Sequence, residues 1–91
     1  MADLRASDFT VGDTFELDAG GAVHRLRVEE VVELPPAARE AGAFRLLFSG
    51  PPEPVLEQAT YLLRGSRRSD DIFIVPIAAD RTAVRYEAIF A

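Results

Sequence analysis

The chain has 91 residues, with 15 acidic and 10 basic side chains for a net charge of −5, and it contains no Cys. This length fits one small domain, whose core leaves no room for a large interior cavity. The absence of Cys excludes disulfides, thiolate metal sites and a Cys nucleophile. The acidic balance argues against binding to nucleic acid or anionic lipid, because both ligands need a positive surface.

The sequence offers no segment that would target it to a membrane. Residues 1–5 contain no apolar stretch of signal-peptide length. The longest apolar run, residues 72–79, is far shorter than the ~20 residues of a membrane helix. We therefore expect a cytoplasmic protein.

The first elements in chain order are a short turn and a β-hairpin. Residues 6–9 predict a single turn in which Ser7 or Asp8 acts as the cap. A strand follows with Phe15 and Leu17 on one face. Residues 18–21, Asp-Ala-Gly-Gly, then predict a tight hairpin turn.

Residues 23–34 form the longest candidate strand. Twelve extended residues would span about 40 Å, which exceeds the width of a domain of this size. We therefore predict a bulge around residues 29–31 that turns Glu30 out of an otherwise apolar row. His24, at the start of this strand, is predicted to lie at the rim.

The middle of the chain alternates strands with proline-rich connections. Residues 35–42 begin with prolines and end with glycine, which predicts one helical turn. Strands are predicted over residues 43–48 and 60–64, and the prolines between them predict a stiff crossing loop. Residues 65–71 and 78–82 are predicted hairpin loops, and residues 83–90 a final strand with alternating apolar positions.

Residues 72–77 are apolar on both faces, which predicts the most buried strand of the fold. Pro76 cannot donate a hydrogen bond to a neighbouring strand, so it belongs at a bulge, an edge or a strand end. Two interpretations remain open. In the first, the strand is central and leaves the sheet near Pro76; in the second, another subunit covers one face in a homodimer.

These elements predict an all-β fold. Six short strands without a long helix indicate a single domain over residues 1–91, with at most short helical turns. A small antiparallel β-barrel and a β-sandwich are both compatible with this pattern.

The polar residues do not form a recognisable catalytic or metal-binding set. His24 is the single imidazole, and no serine lies in a strand–turn–helix elbow. The adjacent pairs Glu29–Glu30 and Asp70–Asp71 would point to opposite faces of a strand, which prevents joint chelation. We therefore predict no catalytic, cofactor-binding or metal-binding residues, no cofactor and no enzymatic activity. Glu30 sharing a cleft with a second acid of raised pKa would revive a catalytic hypothesis.

A small set of residues is instead predicted to form a protein interface. An apolar, proline-bearing strand near an edge can accept an added strand, and arginines at a hairpin tip can hold an anionic group. A tyrosine at a strand entry has an apolar ring and a polar tip, which suits an interface. The predicted interface residues are Gln58, Tyr61, Arg67, Arg68, Ile74 and Pro76.

The order of aromatic and turn residues is familiar from one family. The motifs are Val11-Gly12-Asp13-Thr14-Phe15, Phe44-Arg45-Leu46-Leu47-Phe48-Ser49-Gly50-Pro51, Leu56-Glu57-Gln58-Ala59-Thr60-Tyr61, Phe73-Ile74-Val75-Pro76-Ile77 and Tyr86-Glu87-Ala88-Ile89-Phe90. Over roughly residues 8–90 the chain resembles a family of small bacterial proteins with a domain of unknown function. Its members are often encoded beside phage-tail-collar proteins of the microcystin-dependent type. The resemblance implies association with a tail-like or surface-fibre assembly and carries no catalytic residue with it.

Together these observations favour a non-enzymatic protein-binding or structural accessory module. Its expected partner is a protein, such as a tail or fibre component, and not a nucleic acid or a membrane. The alternative function is a small-ligand-binding β-barrel, which would need an open apolar pocket of several hundred Å³.

Overall fold

The computed structural model describes residues 4–35 and 42–91. Within them six antiparallel strands close into a barrel in the order β1-β2-β3-β6-β5-β4, with a 3-10 turn at Ala6–Asp8 ahead of β1. The strands are β1 Thr14–Ala19, β2 Ala22–Glu33, β3 Phe44–Gly50, β4 Ala59–Arg64, β5 Ser69–Ala79 and β6 Val84–Phe90. The all-β prediction is confirmed, and the barrel is the architecture observed. Residues 36–41, where most of the predicted helical turn falls, lie outside the described residues.

The hairpin between β1 and β2 has the predicted turn. Gly20 and Gly21 adopt φ angles of 60° and 79°, the left-handed region that a two-residue hairpin of this hand requires. His24, opposite Leu17, is buried rather than at the rim, so that prediction is wrong. Its ring Nε2–H donates to the Ala19 carbonyl oxygen at 3.1 Å, which ties the end of β1 to β2.

The long strand β2 contains the predicted bulge. The register with β3 shifts between Val28 and Glu30. Val28 on one side of the shift is fully buried, whereas Glu30 is exposed. The extra residue reverses the alternation at this point, and the carboxylate of Glu30 is thereby kept out of the core.

Inward side chains fill the barrel, and residues outside the strands close it at both ends. At one end the Phe9 ring centroid lies 6.0 Å from those of Phe15 and Phe44 and 6.4 Å from that of Phe90. At the other end Leu56 is buried, and its backbone N–H donates to the Tyr86 hydroxyl at 2.9 Å. The interior is therefore occupied by side chains.

Strand β5 differs from its prediction. Ile72 and Ile74 are buried, but Phe73 and Ile77 are 51% and 46% exposed, so β5 is not the most buried strand. It lies between β4 and β6, and it continues through a bulge beside Pro76 instead of leaving the sheet there. The apolar run thus places one face in the core and the other on the surface of the barrel.

The closure between β1 and β4 is narrow. Each strand has six residues, yet in the described part of the chain they share only the pair Glu16–Arg64. An ion pair between the Arg64 guanidinium and the Asp18 carboxylate, at 2.9 Å, also crosses this junction. We call the junction the β1–β4 seam.

Phe48→Ala is expected to lower the free energy of unfolding by about 3–5 kcal/mol, because the buried ring leaves a cavity. Phe73→Ala is the matched control on the outer surface and should cost less than about 1 kcal/mol. Chemical denaturation measures both. Equal losses would show that the inward and outward faces are assigned wrongly.

Burial raises the pKa of the Tyr86 phenol above its usual value. The folded state therefore favours the neutral phenol, and its contribution to stability is lost as the pH rises above about 10, the ordinary tyrosine pKa. Tyr86→Phe is expected to flatten this alkaline loss. At neutral pH it should cost about 1–3 kcal/mol, because the Leu56 N–H loses its acceptor.

Denaturation of Tyr86→Phe and Tyr61→Phe as a function of pH is the appropriate measurement. Tyr61 is the control because its hydroxyl donates to the exposed Glu57 carbonyl, at 2.7 Å. Equal alkaline slopes for the two variants would contradict the assignment.

Candidate functional site

Three large apolar side chains lie on the outer surface of neighbouring strands. Leu62 on β4, Phe73 on β5 and Ile89 on β6 are 48%, 51% and 52% exposed. Each follows from the alternation of side chains along a strand, since Leu63, Ile72 and Ala88 beside them point into the core. We call Leu62, Phe73 and Ile89 the outer apolar face.

The strand register brings these side chains together. Val75 pairs with Glu87, and Phe73 and Ile89 each lie two residues beyond that pair toward the same end of the barrel. Leu62 pairs with Asp71, which makes Leu62 a diagonal neighbour of Phe73. The three residues therefore occupy one continuous patch across β4, β5 and β6.

The charges around the outer apolar face are unequally satisfied. Arg45 donates to the Glu87 carboxylate, and its guanidinium also lies 3.8 Å from Glu30. Asp71, exposed and directly opposite Leu62, has no side-chain hydrogen bond or ion pair within the described residues. The patch thus carries one unneutralised negative charge at its β4–β5 border.

The predicted interface residues are not gathered on one surface. Ile74 is fully buried, so its prediction as an interface residue is wrong. Pro76 is half-buried beside Tyr86 in the β5 bulge. Gln58 is exposed just before β4, and Tyr61 packs partly against the core. These four positions lie toward the Leu56 end of the β4–β5 hairpin.

The two predicted arginines lie at the opposite end of the same hairpin. Arg68 forms ion pairs with Asp8 at 3.2 Å and Asp70 at 2.6 Å, so its charge already serves the fold. Arg67 is exposed and makes no ion pair in the described ranges. About six strand residues, or roughly 20 Å, separate this tip from Gln58 and Pro76.

Sequence analysis missed Phe73, Leu62 and Ile89 as surface residues. A usable signal existed for Phe73, because a strand that is apolar at consecutive positions must expose one face if only the other meets the core. Leu62 and Ile89 carry no such signal, because an isolated exposed aliphatic residue is ordinary in any protein.

Two clefts lie at the Phe9 end of the barrel. One, of about 460 Å³, lies between the 3-10 turn and the β4–β5 hairpin, and its lining is mainly polar or charged, including Asp8, Asp13, Arg67 and Arg68. The other, of about 350 Å³, lies beside Arg5, Glu33 and Phe44. Their linings come from surface turns and strand ends, so neither resembles the apolar interior pocket of a ligand-binding barrel.

The acidic residues near the bulge serve the structure. The Ser49 hydroxyl donates to Glu29 at 2.6 Å, and this hydrogen bond holds the pKa of the Glu29 carboxyl below its usual value. Glu30 is exposed and lies near Arg45. Residues 4–35 and 42–91 contain no group of three His, Asp or Glu side chains placed to hold a metal ion. They also contain no helix long and apolar enough to span a membrane.

Comparison with known proteins assigns the chain to a family without assigning an activity. No curated protein and no solved structure matches the chain. A family model described as a domain of unknown function, DUF6916, matches residues 4–90. That match covers nearly the whole barrel and agrees with the family type expected from the sequence. The chain therefore belongs to the DUF6916 family.

Proposed function

We propose that this protein is a non-enzymatic protein-binding module that docks a partner on its outer apolar face. The observation that carries the proposal is the adjacency of Leu62, Phe73 and Ile89, each about half exposed, on three neighbouring strands. Contiguous apolar surface of this kind is typical of interaction sites in small soluble domains. Phe73 lies in the middle strand of the three and is the expected anchor, because buried aromatic residues dominate binding energy at interfaces.

The charge beside the patch indicates the chemistry of the partner. Asp71 lies next to Leu62 and has no cationic neighbour in the described residues. The chain as a whole carries a charge of −5. A partner segment with apolar side chains and an adjacent Lys or Arg would cover the patch and neutralise Asp71.

The alternative function, a small-ligand-binding barrel, receives less support. Such a barrel needs interior space, and here Leu17, Leu26, Phe48 and Tyr86 pack together inside with almost no exposure. The clefts outside are lined largely by residues that hold the fold, such as Arg68 and Asp8.

We further propose that the partner belongs to a phage-tail-like or surface-fibre assembly. The support is the sequence resemblance to a family whose members are often encoded beside tail-collar proteins. An accessory module for such an assembly needs a docking surface and no catalytic centre, which suits a small packed barrel with an apolar outer face.

Phe73→Asp is expected to raise the Kd for the partner by about 30-fold or more, since loss of an interface anchor costs about 2 kcal/mol or more. The tagged wild-type chain is first used to isolate partners from its native host, which native mass spectrometry identifies. The Kd is then measured with the purified partner.

Val11→Asp is the matched control, because Val11 is 56% exposed but lies in the turn before β1 and not on the patch. The proposal predicts that Val11→Asp binds like the wild type. Equal binding by Phe73→Asp would overturn it. A homodimer that dissociates on Phe73→Asp would also overturn it, because a second copy would then be the occupant of the face.

A further inference from the structure

We propose that the partner binds by adding an extended strand to the free edge of β4, at the β1–β4 seam. This inference rests on the proposed function and specifies how the partner docks. Thr60 and Leu62 supply the main-chain N–H and C=O groups for the added strand. The occupant is an extended polypeptide segment, and not a helix or a small molecule.

The direction of the backbone groups in β4 follows from one hydrogen bond. The Gly65 N–H donates to the Arg68 carbonyl oxygen at 2.8 Å, in the same register as the β4–β5 ladder. In an antiparallel ladder, residues that exchange hydrogen bonds with one neighbour alternate with residues that face away from it. Leu63, Tyr61 and Ala59 therefore bond to β5. The residues between them point their N–H and C=O groups toward the seam.

The same argument applies on the other side of the seam. The Val28 N–H donates to the Asp13 carbonyl oxygen at 2.8 Å, in the register of the β1–β2 ladder. Alternation then turns the backbone groups of Glu16 and Asp18 toward β4. Glu16 pairs with Arg64, as this geometry requires.

The next pair along the seam is not formed. Continuing the register from Glu16–Arg64 would place Asp18 opposite Leu62, but β1 and β4 share no such pair in the described structure. The Asp18 side chain reaches back to Arg64 instead, at 2.9 Å. The backbone groups of Leu62 and Thr60 thus face an edge that β1 has left.

Nothing in β4 protects this edge in the usual way. Exposed edges are commonly guarded by proline, lysine or an inward-pointing charge. The sequence of β4, Ala-Thr-Tyr-Leu-Leu-Arg, contains no proline or lysine, and its one charge lies at the end that is already paired. Thr60 is exposed and Leu62 is 48% exposed, so an approaching strand would meet open backbone.

The added strand would also complete the outer apolar face. Leu62 and Thr60 point outward on β4, beside Asp71 and Phe73 of β5. Outward side chains of a strand paired with β4 would lie directly beside Leu62. The partner segment is therefore expected to alternate apolar and polar residues, with a basic residue near Asp71.

Amide hydrogen exchange of the free protein tests the edge directly. The amides of Thr60 and Leu62 should exchange about tenfold or more faster than those of Tyr61 and Leu63, the ratio expected for the loss of one hydrogen bond. Residue-resolved NMR measures these rates. Equal protection along β4 would show that the edge is already covered and would overturn the inference.

The binding test uses peptides selected on the wild-type chain from a phage-displayed library of random linear sequences. Thr60→Pro removes the N–H that faces the seam but leaves the bonds of Ala59 and Tyr61 to β5. It should weaken peptide binding by about tenfold. Thr60→Val is the matched control, since it retains the N–H and a β-branched side chain, and it should bind like the wild type.

A second variant covers the case in which Thr60→Pro does not fold. Asp18→Cys with Leu62→Cys would form a disulfide across the seam in a chain that otherwise lacks Cys. The oxidised form should bind the peptides at least about tenfold more weakly than the reduced form of the same chain. Because both forms carry the same substitutions, the difference reports on the closed edge alone.

The outcomes separate this inference from the proposed function. Peptides that lose affinity on Thr60→Pro, or on oxidation of the double-Cys chain, support strand addition. Peptides that lose affinity on Phe73→Asp but bind both seam variants normally would overturn strand addition and retain the docking face. A library that yields no peptide sensitive to Thr60→Pro or to oxidation would also overturn strand addition.

Discussion

The packing of the barrel interior from both ends is the constraint on which the rest of this structure depends. Phe9 enters from the segment before β1, and Leu56 enters from the proline-rich loop before β4. With these two residues in place, a six-stranded barrel has no interior space to offer a ligand. Any specific contact with another molecule must therefore use the outer surface, its clefts or a strand edge.

The same packing accounts for the position of the β1–β4 seam. Gly65 lies against the Phe15 ring so closely that a Cβ would come within 2.7 Å of a ring carbon. The tip of the β4–β5 hairpin is thereby held beside the start of β1, where Glu16 and Arg64 pair. Below that contact no side chain imposes a close approach, and the two strands separate.

Charge pairing on the surface singles out the same region. Cross-strand and turn ion pairs engage Arg25 with Glu16, Arg64 with Asp18, and Arg68 with Asp8 and Asp70. Exposed pairs of this kind contribute little stability individually, but they leave most of the surface locally neutral. The outer apolar face and its unpaired Asp71 are an exception, and the free edge of β4 borders them.

The sequence by itself determined the all-β class, six strands, most turns and the bulge before Glu30. These features depend on side-chain alternation, Gly and Pro positions and strand length, which are local properties. It did not determine that Ile74 is buried while Phe73 is exposed, because a run that is apolar at consecutive positions does not state which face meets the core. Nor did it determine that β5 is an interior strand and that the seam lies between β1 and β4. Strand order and the place where a barrel closes depend on contacts between residues distant in the chain, and only the tertiary structure decided them.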